Sequence, residues 1–549
     1  MRARTLVDVL EALRSSAHGV TFVESGRTVA HRDLPDLARP VTGALAARGV
    51  GSGAVVGLLA PPGPHWLAGF FGAIGAGAAV ATLPAPPLVL DAETLADRLV
   101  PIVRTGGVEV VAASGPALRI ATALAERVPA LTVLDLAAPG DTAADPSPVD
   151  PDSLAVVQFS SGSTAAPKGV TLTHRQFLAG VAAIVDHIAL TPADVMVQWV
   201  PLFHDMGLVT LMTGLLTPND THVFDPLTFV KTPEAILRHL AEARGTVTDG
   251  PNFSFDRLIA AAPHAFEPGA RPLTHWRLAL NGAEAVRPET VREFARVFGP
   301  LGVPASTMAP CYGMAEATLA VTLPRPGDRP RSITLDRDAL VPGLPAVPVA
   351  ADVPRARELF AVGVPVPGLD LRITDLDGTP LPDGHVGEIR LRGEAVTTGY
   401  LRAGELVAAR DAEGWLRTGD LGLLDAGELV IVGRLKEMIV VQGRNFFPED
   451  VEEAARDVAG IHRGHCVAVA DTEAERILIV AETAHAPASP EAAALVSAIR
   501  GAVSRALSLA VVTVRLVPPA TLPRTTSGKW RRSAIAELTL STEMSSPGV

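Results

Sequence analysis

Apolar runs of strand length alternate with amphipathic segments of helix length along the first 150 residues of the chain. The runs at 55–59 and 108–112 predict buried strands, whereas the segments at 34–48 and 91–102 predict helices. Such alternation is typical of layered α/β domains. The apolar run from Trp66 to Leu83 approaches the length of a membrane span, but its glycines and alanines favour a buried helix. We therefore expect no membrane span.

The pattern changes in the second half of the chain. Clear alternation at 387–400 predicts a β-rich subdomain, and the segment 324–357, dense in Pro, Arg and Asp with little periodicity, predicts a surface insertion. After 433–437 the pattern predicts a small α+β unit. The expected fold class is thus α/β, with a large multi-layer N-terminal domain (1–432) made of two α/β subdomains and a β-rich subdomain. A hinge (433–437) and a small α+β C-terminal domain (438–549) complete the expected organisation.

Charge and composition exclude several classes of function. The net charge is −12 and no long Lys/Arg block occurs, so we expect no nucleic-acid partner. Cys311 and Cys466 lie far apart and offer neither a disulfide framework nor a metal-ligand cluster, and the first 19 residues predict an amphipathic helix instead of a secretory signal. These features predict a reducing, cytoplasmic location. Only four of the 47 Lys and Arg residues are lysines, which is expected where a compact ammonium is needed at particular positions.

The stretch VQFSSGSTAAPKGVTLTH (157–174) directly follows an apolar run that predicts a strand. Gly162 lets the backbone approach a ligand closely, and Lys168 supplies a positive charge. Small hydroxyl residues supply the remaining donors: Ser160, Ser161, Ser163 and Thr164. The stretch lacks the Gly-Lys-Ser/Thr ending of the Walker loop, yet it predicts a loop that binds polyphosphate. A solvated Ser/Gly linker is the alternative, but such a linker would not require the lysine.

Two apolar motifs with isolated polar groups predict the wall of a substrate pocket. In QWVPLFHDMGLV (198–209), His204 and Asp205 stand among large apolar residues. In DGPNFSFD (249–256), a Gly-Pro turn precedes two phenylalanines, which predicts a pocket-lining loop. A buried, satisfied histidine and an ordinary loop are the alternatives. The position of both motifs after the phosphate stretch favours the pocket.

Later motifs carry groups suited to a nucleotide. ALNGAEAVRP (279–288) predicts a strand ending in a turn, and PCYGMAEATL (310–319) predicts a strand-to-helix turn. Within the second motif, Tyr312 offers a π-face to a nucleobase and Glu316 offers an oxygen ligand for Mg²⁺. In GWLRTGDL (414–421) a carboxylate follows a glycine turn, where it can accept both ribose hydroxyls.

The motif LPRTTSGKWRR (522–532) places Lys529 after a flexible Ser-Gly pair. Basic turn residues near a terminus are normally a solvated tail. This arrangement can instead deliver one ammonium into an anionic site.

Taken in this order, the motifs resemble those of the adenylate-forming superfamily, which includes acyl-CoA synthetases, nonribosomal-peptide adenylation domains, luciferases and fatty acyl-AMP ligases. PLFHDMGL, GPNF, LNGAEAVRPET, PCYGMAEATL and LPRTTSGK are most similar to the fatty acyl-AMP ligases, and Ala315 matches the alanine usual in that branch. The segment 324–357 lies where that branch carries an insertion thought to restrain the small domain and disfavour coenzyme A. The lysine at position 168 departs from this match, since a lysine at this position of the phosphate motif is similar to the acyl-CoA synthetases.

The resemblance implies ATP and Mg²⁺ as cofactors, a carboxylic acid, expected to be a fatty acid, as substrate, and an acyl carrier protein as partner. Lys529 is the implied catalytic residue, with His204 beside the substrate carboxylate, Glu316 on Mg²⁺, and Lys436 as the hinge about which a mobile small domain rotates. The implied ATP- and AMP-binding residues are Ser160, Ser161, Gly162, Ser163, Thr164, Lys168, Asn281, Gly282, Ala283, Tyr312, Gly313, Met314, Asp420 and Arg434. The implied acyl pocket consists of Phe203, His204, Asp205, Met206, Pro251, Asn252 and Phe253.

Three alternatives remain open at this point. An acyl-CoA synthetase would consume free coenzyme A, which distinguishes it from a ligase that needs a carrier protein. Activation of an amino acid would need a carboxylate for the substrate ammonium, and Asp205 is the candidate. A catalytically inactive scaffold is the third alternative, against which the presence of Lys529, Glu316 and Asp420 argues.

Overall fold

The computed structural model describes residues 3–84, 91–160, 167–402, 404–441, 444–471, 476–507, 509, 512–524 and 530–543. Five predicted site residues therefore lie outside the described part of the chain: Ser161, Gly162, Ser163, Thr164 and Lys529. Ser160 ends a strand, but its side chain also lies outside the described part.

The first 135 residues alternate helices and strands, as the sequence predicts. In chain order the elements are α1 Leu6–Ala12, β1 Gly19–Phe22, β2 Arg27–Ala30, α2 Leu34–Ala46, β3 Val55–Leu59, α3 Pro64–Gly75, β4 Ala79–Thr82, α4 Ala92–Gly106, β5 Val108–Ala113, α5 Ala117–Arg127 and β6 Thr132–Asp135.

The apolar run from Trp66 to Leu83 is not one helix, and that prediction is wrong. Helix α3 ends at Gly75, and strand β4 begins four residues later. Gly77 lies between them with φ +82°, a left-handed conformation that ends a helix and that glycine adopts without strain. Both halves are buried, so hydrophobicity alone did not distinguish them. No helix within the described ranges is both long enough and apolar enough to cross a bilayer.

The middle of the chain continues the α/β pattern up to residue 323. Its elements are β7 Leu154–Ser160, β8 Lys168–Thr173, α6 His174–His187, β9 Val195–Gln198, α7 Asp205–Leu216, β10 Asp220–Val223, α8 Pro226–Lys231, α9 Pro233–Glu242, β11 Val247–Gly250, α10 Asn252–Ala265, β12 Leu278–Asn281, α11 Pro288–Phe298, β13 Met308–Pro310, β14 Tyr312–Gly313 and β15 Ala320–Leu323.

Two predictions in this part need correction. The 249–256 stretch is not a loop, because β11 ends at Gly250 and α10 begins at Asn252. The 310–319 motif does not lead into an α-helix, since a 3₁₀ turn at Ala315–Ala317 returns the chain to β15. The turn includes Thr318 at φ +66°, which an α-helix cannot continue through.

From residue 332 to residue 434 the chain forms mainly antiparallel strands. They are β16 Ser332–Asp336, β17 Ala356–Phe360, β18 Val364–Pro365, β19 Leu369–Thr374, β20 Gly387–Gly393, β21 Gly399–Arg402, β22 Glu405–Ala408, β23 Leu416–Asp425 and β24 Glu428–Arg434. The predicted insertion contains regular structure, because β16 within it pairs with β17, which begins at its end.

The C-terminal region, defined here as residues 438–543, has its own elements. They are β25 Ile439–Val441, β26 Arg444–Phe446, α12 Pro448–Arg456, β27 Cys466–Asp471, β28 Arg476–Glu482, α13 Pro490–Leu507, β29 Val512–Val517 and α14 Arg532–Glu543. Strand β29 and helix α14 were not predicted from the sequence.

Two large sheets organise the N-terminal part. Within the described residues, one has the strand order β22-β21-β8-β7-β4-β3-β5-β6 and the other β13-β12-β11-β9-β10-β1-β2. Val80 of the first sheet, Met196 of the second, Phe70 of α3 and Leu211 of α7 belong to one buried cluster. An antiparallel sheet, β19-β20-β23-β24, forms the β-rich part, and β27-β28-β29 carries a separate core in the C-terminal region. The predicted α/β fold class is confirmed.

Candidate active site

One cavity of about 1460 Å³ brings most of the predicted site residues together. Its walls come from the ends of β11 and β12, the start of α7, the turn around β14, and strands β23 and β24. Open α/β sheets bind ligands at the carboxyl ends of their strands, so this position is typical of an active site. The predicted residues that line it are Lys168, Phe203, His204, Asp205, Met206, Asn252, Phe253, Ala283, Tyr312, Gly313, Met314, Glu316, Asp420, Arg434 and Lys436.

A tyrosine, an aspartate and an arginine form one corner of the cavity. The Tyr312 hydroxyl donates to Asp420 Oδ2 over 2.6 Å, and Arg434 Nε donates to Asp420 Oδ1 over 2.7 Å. Asp420 and Arg434 lie opposite each other in the register of β23 and β24. Burial, with the Asp420 charge, raises the pKa of Tyr312, and the Asp420 charge raises the pKa of Arg434. A neutral phenol and a charged guanidinium therefore hold this carboxylate in place before any ligand binds.

A second polar set surrounds Glu316, which is 6% exposed. Lys168 Nζ lies 2.9 Å from Glu316 Oε1, and the Tyr400 hydroxyl donates to the same oxygen over 3.2 Å. The ammonium also lies 4.3 Å from the centroid of the Tyr400 ring. Burial and the nearby Glu316 raise the pKa of Tyr400. Both contacts use Oε1, so neither occupies Oε2.

His204 is the N-cap residue of α7, where the chain turns into the helix. Its Nδ1 lies 2.5 Å from Asp205 Oδ1, and that oxygen also accepts from the Met206 backbone N–H over 2.8 Å. The Met206 N–H also lies 3.4 Å from Nδ1, but the much shorter contact with the Asp205 carboxylate favours a proton on Nδ1. That tautomer leaves Nε2 for a ligand in the cavity. Asp205 therefore orients His204 and is not a free carboxylate.

Asn252 at the start of α10 holds the turn that follows β12. Its Nδ2 donates to the Ala285 carbonyl over 2.7 Å, and its Oδ1 accepts from Arg287 N and Asn281 Nδ2, each over 3.1 Å. This clamp sets the position of Ala283, which has a left-handed φ of +69°.

Three predicted site residues are not among the cavity-lining residues that the structure describes: Pro251, Asn281 and Gly282. Asn281 is fully buried behind Asn252. A Cβ atom at Gly282 would lie 2.7 Å from Cys311 Sγ, so glycine allows close packing of β12 against the next strand.

The C-terminal region closes the cavity at the residues that flank the predicted Lys529. Arg524 and Trp530 both line the cavity, form an isolated β-bridge, and place the guanidinium carbon 3.6 Å from the centroid of the Trp530 rings. Arg532 donates to Glu437 Oε2 over 2.8 Å and to Glu452 over 3.0 Å. These contacts anchor the motif beside Lys436, although Lys529 itself lies outside the described residues.

The sequence profile of the AMP-binding enzyme family matches residues 11–401, about 70% of the chain. This chain belongs to the AMP-binding enzyme family. The profile of the Disco-interacting protein 2-like AMP domain matches residues 436–546 of this AMP-binding enzyme.

Individual relatives cover nearly the whole chain. It is 33% identical over 536 residues to the long-chain-fatty-acid–AMP ligase FadD32 of Mycolicibacterium smegmatis, which covers 87% of this chain and 84% of the relative. It is 30% identical over 567 residues to the medium-chain-fatty-acid–acyl-carrier-protein ligase JamA of Moorena producens, covering 96% and 94%. A solved structure from a study of fatty acyl-adenylate ligases from E. coli and L. pneumophila matches with a TM-score of 0.91 at 28% identity, covering 99% of both chains. The predicted resemblance to the adenylate-forming superfamily and its fatty acyl-AMP ligases is confirmed.

Tyr400, whose hydroxyl contacts Glu316, and the cavity-lining Asp249 are functional candidates of this AMP-binding enzyme that were not predicted from the sequence. Tyr400 is the second of only two tyrosines, which was a usable signal, but it lies 84 residues from Glu316. Asp249 stands two residues before the GPNF proline, and only its burial and surroundings make it notable.

Proposed function

We propose that this AMP-binding enzyme is a fatty acyl-AMP ligase that passes its acyl group to the phosphopantetheine thiol of a carrier protein. First, a carboxylate oxygen attacks the α-phosphorus of ATP, the bond from this phosphorus to the bridging oxygen breaks, and pyrophosphate leaves. Next, the thiol sulfur, losing its proton, attacks the acyl carbonyl, the bond to the adenylate oxygen breaks, and AMP leaves.

The single observation that carries this proposal is a cavity with two chemically different ends. We call the set Tyr312, Asp420, Arg434, Lys168 and Glu316 the nucleotide end, because it is charged and hydrogen-bonded. We assign to the acyl end the apolar lining residues Phe203, Met206, Phe253, Ile184, Ile188, Leu280 and Leu319, and we assign His204 to the junction of the two ends. An anionic nucleotide and an apolar chain joined at a carboxylate fit this division.

At the nucleotide end, we assign the Tyr312 ring and Ala283 to the two faces of adenine and Asp420 to the ribose hydroxyls. Arg434 keeps its charge beside Asp420, which strengthens the acceptor. Lys168 and the predicted loop from Ser160 to Thr164 would bind the β- and γ-phosphates.

Glu316 fits the proposed Mg²⁺ site. Magnesium bound with a nucleotide commonly uses one or two protein carboxylates and takes its remaining ligands from phosphates and water. Glu316 supplies one buried carboxylate with Oε2 unused by Lys168 and Tyr400. Among the described residues no group of three or more His, Cys, Asp and Glu side chains forms a protein-only metal site. When bound, the ion would neutralise phosphate charge, and Lys168 would be free to turn from Glu316 toward the phosphates.

At the reacting centre, we assign His204 Nε2 to the substrate carboxylate and Lys529 to the oxygens of carboxylate and α-phosphate. Arg524 and Trp530 support this assignment, since they bring the chain on both sides of Lys529 to the cavity. The contact between Asp205 and His204 argues against amino-acid activation, because Asp205 is already engaged.

The segment 324–357 supports a carrier protein as acceptor. Arg357 lies 2.6 Å from Asp450 Oδ1 of α12, and both residues are less than 10% exposed. Arg337 donates to the Ala506 carbonyl over 2.8 Å, and Arg444 donates to Asp338 over 2.8 Å. These contacts favour the pose in which the Lys529 motif faces the cavity. Thioester formation needs the small domain to rotate, and a carrier protein adds an interface that offsets the restraint, whereas coenzyme A does not.

We keep the proposed boundary at 433–437, with Lys436 as the hinge. Lys436 lies in a 3₁₀ turn, Leu435–Glu437, between the β-rich sheet and the C-terminal region. The name of JamA supports an acyl carrier protein as partner, and that of FadD32 supports a fatty acid as substrate. The cytoplasm stays the proposed location, since both Cys311 and Cys466 are free thiols.

Incubation of the purified protein with ATP, Mg²⁺ and a panel of carboxylic acids tests the function. We expect pyrophosphate release with fatty acids, acyl-adenylate by mass spectrometry, and acyl transfer to a phosphopantetheinylated carrier protein. Efficient formation of acyl-CoA from free coenzyme A would instead support an acyl-CoA synthetase, the alternative hypothesis that the resemblance at Lys168 favours. No pyrophosphate release with any acid would contradict the proposed function.

A further inference from the structure

A buried carboxyl group without a hydrogen-bonding partner lies at the acyl end of the cavity. Asp249 is the third residue of β11, is 2% exposed, and lines the cavity. Neither of its carboxyl oxygens has a hydrogen-bonding partner of normal geometry within the described part of the chain, although the Thr210 hydroxyl lies near enough to lower its pKa. Buried polar groups in proteins are nearly always paired, so an unpaired carboxyl that lines a cavity indicates a group that a ligand completes.

Asp249 stands between the two segments that form the acyl pocket. One segment contains His204, whose charge influences Asp249, and the other begins two residues after Asp249 at Pro251. In the sheet register Asp249 lies beside Leu280 of β12. The aliphatic residues Ile184, Ile188 and Leu280 share this end of the cavity. A plain alkyl chain bound here would exclude water from Asp249 and leave both oxygens unpaired.

The surroundings favour an uncharged or partly charged carboxyl group. Burial raises the pKa of Asp249 to about 7, and the neighbouring Thr210 hydroxyl and His204 only partly oppose this rise. Burial, together with the nearby Asp249 charge, raises the pKa of the Cys311 thiol to about 12, so Cys311 is neutral. A neutral carboxyl group both donates and accepts a hydrogen bond.

A hydroxyl group matches this chemistry better than an ammonium does. A hydroxyl also donates and accepts, so one hydroxyl and one carboxyl group satisfy each other. An ammonium carries three donors, and in this mainly aliphatic end of the cavity Asp249 would satisfy at most two of them. Asp205, which also lines the cavity, already contacts His204.

We propose that Asp249 is a specificity-determining residue that binds a hydroxyl group on the carbon chain of the substrate, which makes hydroxy-substituted aliphatic acids the preferred substrate class. This inference rests on the proposed acyl-adenylate chemistry and assigns a substrate feature to it. Asp249 does not touch the reacting atoms in this assignment, and it acts only by contact with the acyl chain.

Matched acids test the proposal. The rate of pyrophosphate release, expressed as kcat/KM, is measured for a plain alkanoic acid and for its positional hydroxy isomers of equal chain length. The wild-type protein is expected to prefer one isomer over the plain acid by about tenfold or more, because a site built around a hydrogen bond rejects the analogue that lacks it. In Asp249→Leu the preference is expected to disappear or reverse, since leucine has the same branched arrangement of side-chain heavy atoms and no polar atoms.

Asp256→Asn is the matched control. Asp256 also lines the cavity, but its carboxylate is already paired with Arg287 and accepts from the Thr290 hydroxyl over 2.7 Å. This variant should keep the wild-type ratio between hydroxy and plain acids. A far-ultraviolet circular dichroism spectrum and a cooperative thermal unfolding transition verify that Asp249→Leu remains folded.

The outcomes distinguish a failure of the proposed role of Asp249 from a failure of the proposed acyl-adenylate chemistry. Equal turnover of plain and hydroxy acids by the wild-type protein, or an unchanged ratio in Asp249→Leu, would overturn the role of Asp249 while leaving acyl-adenylate formation intact. A preference for amino-substituted acids that Asp249→Leu abolishes would overturn the hydroxyl assignment. No turnover of any acid would overturn the proposed function and this inference together.

Discussion

At the nucleotide end of the cavity Asp420 is held by Tyr312 and Arg434, whereas at the acyl end Asp249 has no partner among the described residues. Asp420 and Asp249 are both less than 10% exposed, so burial does not distinguish them. The difference is that the protein supplies the partners of Asp420 and leaves those of Asp249 open. A carboxylate held in advance suits a constant ligand such as ATP, and an open one suits the variable part of a substrate.

The largest expected effect is at the reacting centre, where the substrate carboxylate attacks the α-phosphorus of ATP. We expect Lys529→Ala to reduce adenylate formation by about 10²- to 10³-fold, because one preorganised donor at developing charge is lost. ATP binding should change little, since the contacts around Asp420 and Glu316 are retained. Pyrophosphate release and calorimetry measure the two effects separately.

Lys231→Ala is the matched control for that prediction, because Lys231 is exposed and ends α8 away from the cavity. Near-normal pyrophosphate release by Lys529→Ala would remove Lys529 from the proposed mechanism.

The second prediction concerns Asp420, the carboxylate that Tyr312 and Arg434 hold in place. We expect Asp420→Ala to weaken ATP binding by about 2 to 3 kcal/mol, because the ribose loses a charged acceptor and Arg434 loses its partner. Calorimetric titration with ATP gives this value. Asp425→Ala on the same strand is the control, since Asp425 pairs with Arg331 and does not line the cavity. Equal ATP affinity in Asp420→Ala and Asp425→Ala would mean that the pairing at Asp420 serves the fold and not the ligand.

A third prediction tests whether the choice between coenzyme A and a carrier protein is set by contacts outside both ends of the cavity. We expect Arg357→Ala to raise acyl-CoA formation by about tenfold, the change that a shift of about 1.4 kcal/mol in the domain equilibrium produces. Adenylate formation should stay nearly unchanged, because Arg357 contacts Asp450 of α12 and the Val432 carbonyl and is not one of the residues assigned to ATP or the acyl chain. Replacing 324–357 with a few glycines should act in the same direction.

Arg355→Ala is the control for the acceptor prediction. Arg355 belongs to the same segment, but its side chain is 58% exposed and pairs with Asp336 inside the segment. Unchanged acyl-CoA production by Arg357→Ala and by the shortened segment would exclude a restraint from this contact.

The last prediction concerns the pH dependence of stability that follows from the burial of Asp249. The pKa of Asp249 is raised from 3.8 to about 7 in the folded protein, so the unfolded state loses this proton first as the pH rises. The stabilising contribution of Asp249 is therefore complete below about pH 4 and is lost as the pH approaches 7, at about 1.4 kcal/mol per pH unit. The Thr210 hydroxyl and His204 lower the pKa of Asp249 only in part against the effect of burial, and Asp249 in turn raises the pKa of Cys311.

Thermal unfolding of wild-type and Asp249→Leu proteins between pH 4 and pH 8 measures this contribution. The melting temperature of the wild type relative to the variant should fall as the pH rises. A difference that is constant with pH would show that Asp249 is charged throughout and would contradict its open, buried state.

The sequence predicted the fold class correctly, because alternation of buried strands and amphipathic helices is a local property of the chain. Fifteen of the site residues predicted from the sequence, from Lys168 to Lys436, line one cavity in the structure. The assigned roles and the domain boundary stay predictions, and Lys529 lies outside the described residues. The errors occurred where local pattern is ambiguous, as in the apolar run from Trp66 to Leu83, which a single glycine divides into helix and strand.

The family and its motif order were determined by the sequence alone, because each motif places its chemical groups within about ten contiguous residues and the turn residues that position them are local. Only the tertiary structure decided which groups meet. Lys168 and Glu316 are 148 residues apart, and Tyr312 and Asp420 are 108 residues apart. The tertiary structure also decided that Asp249 is buried without a partner, since burial and pairing depend on distances in space between segments that the sequence separates.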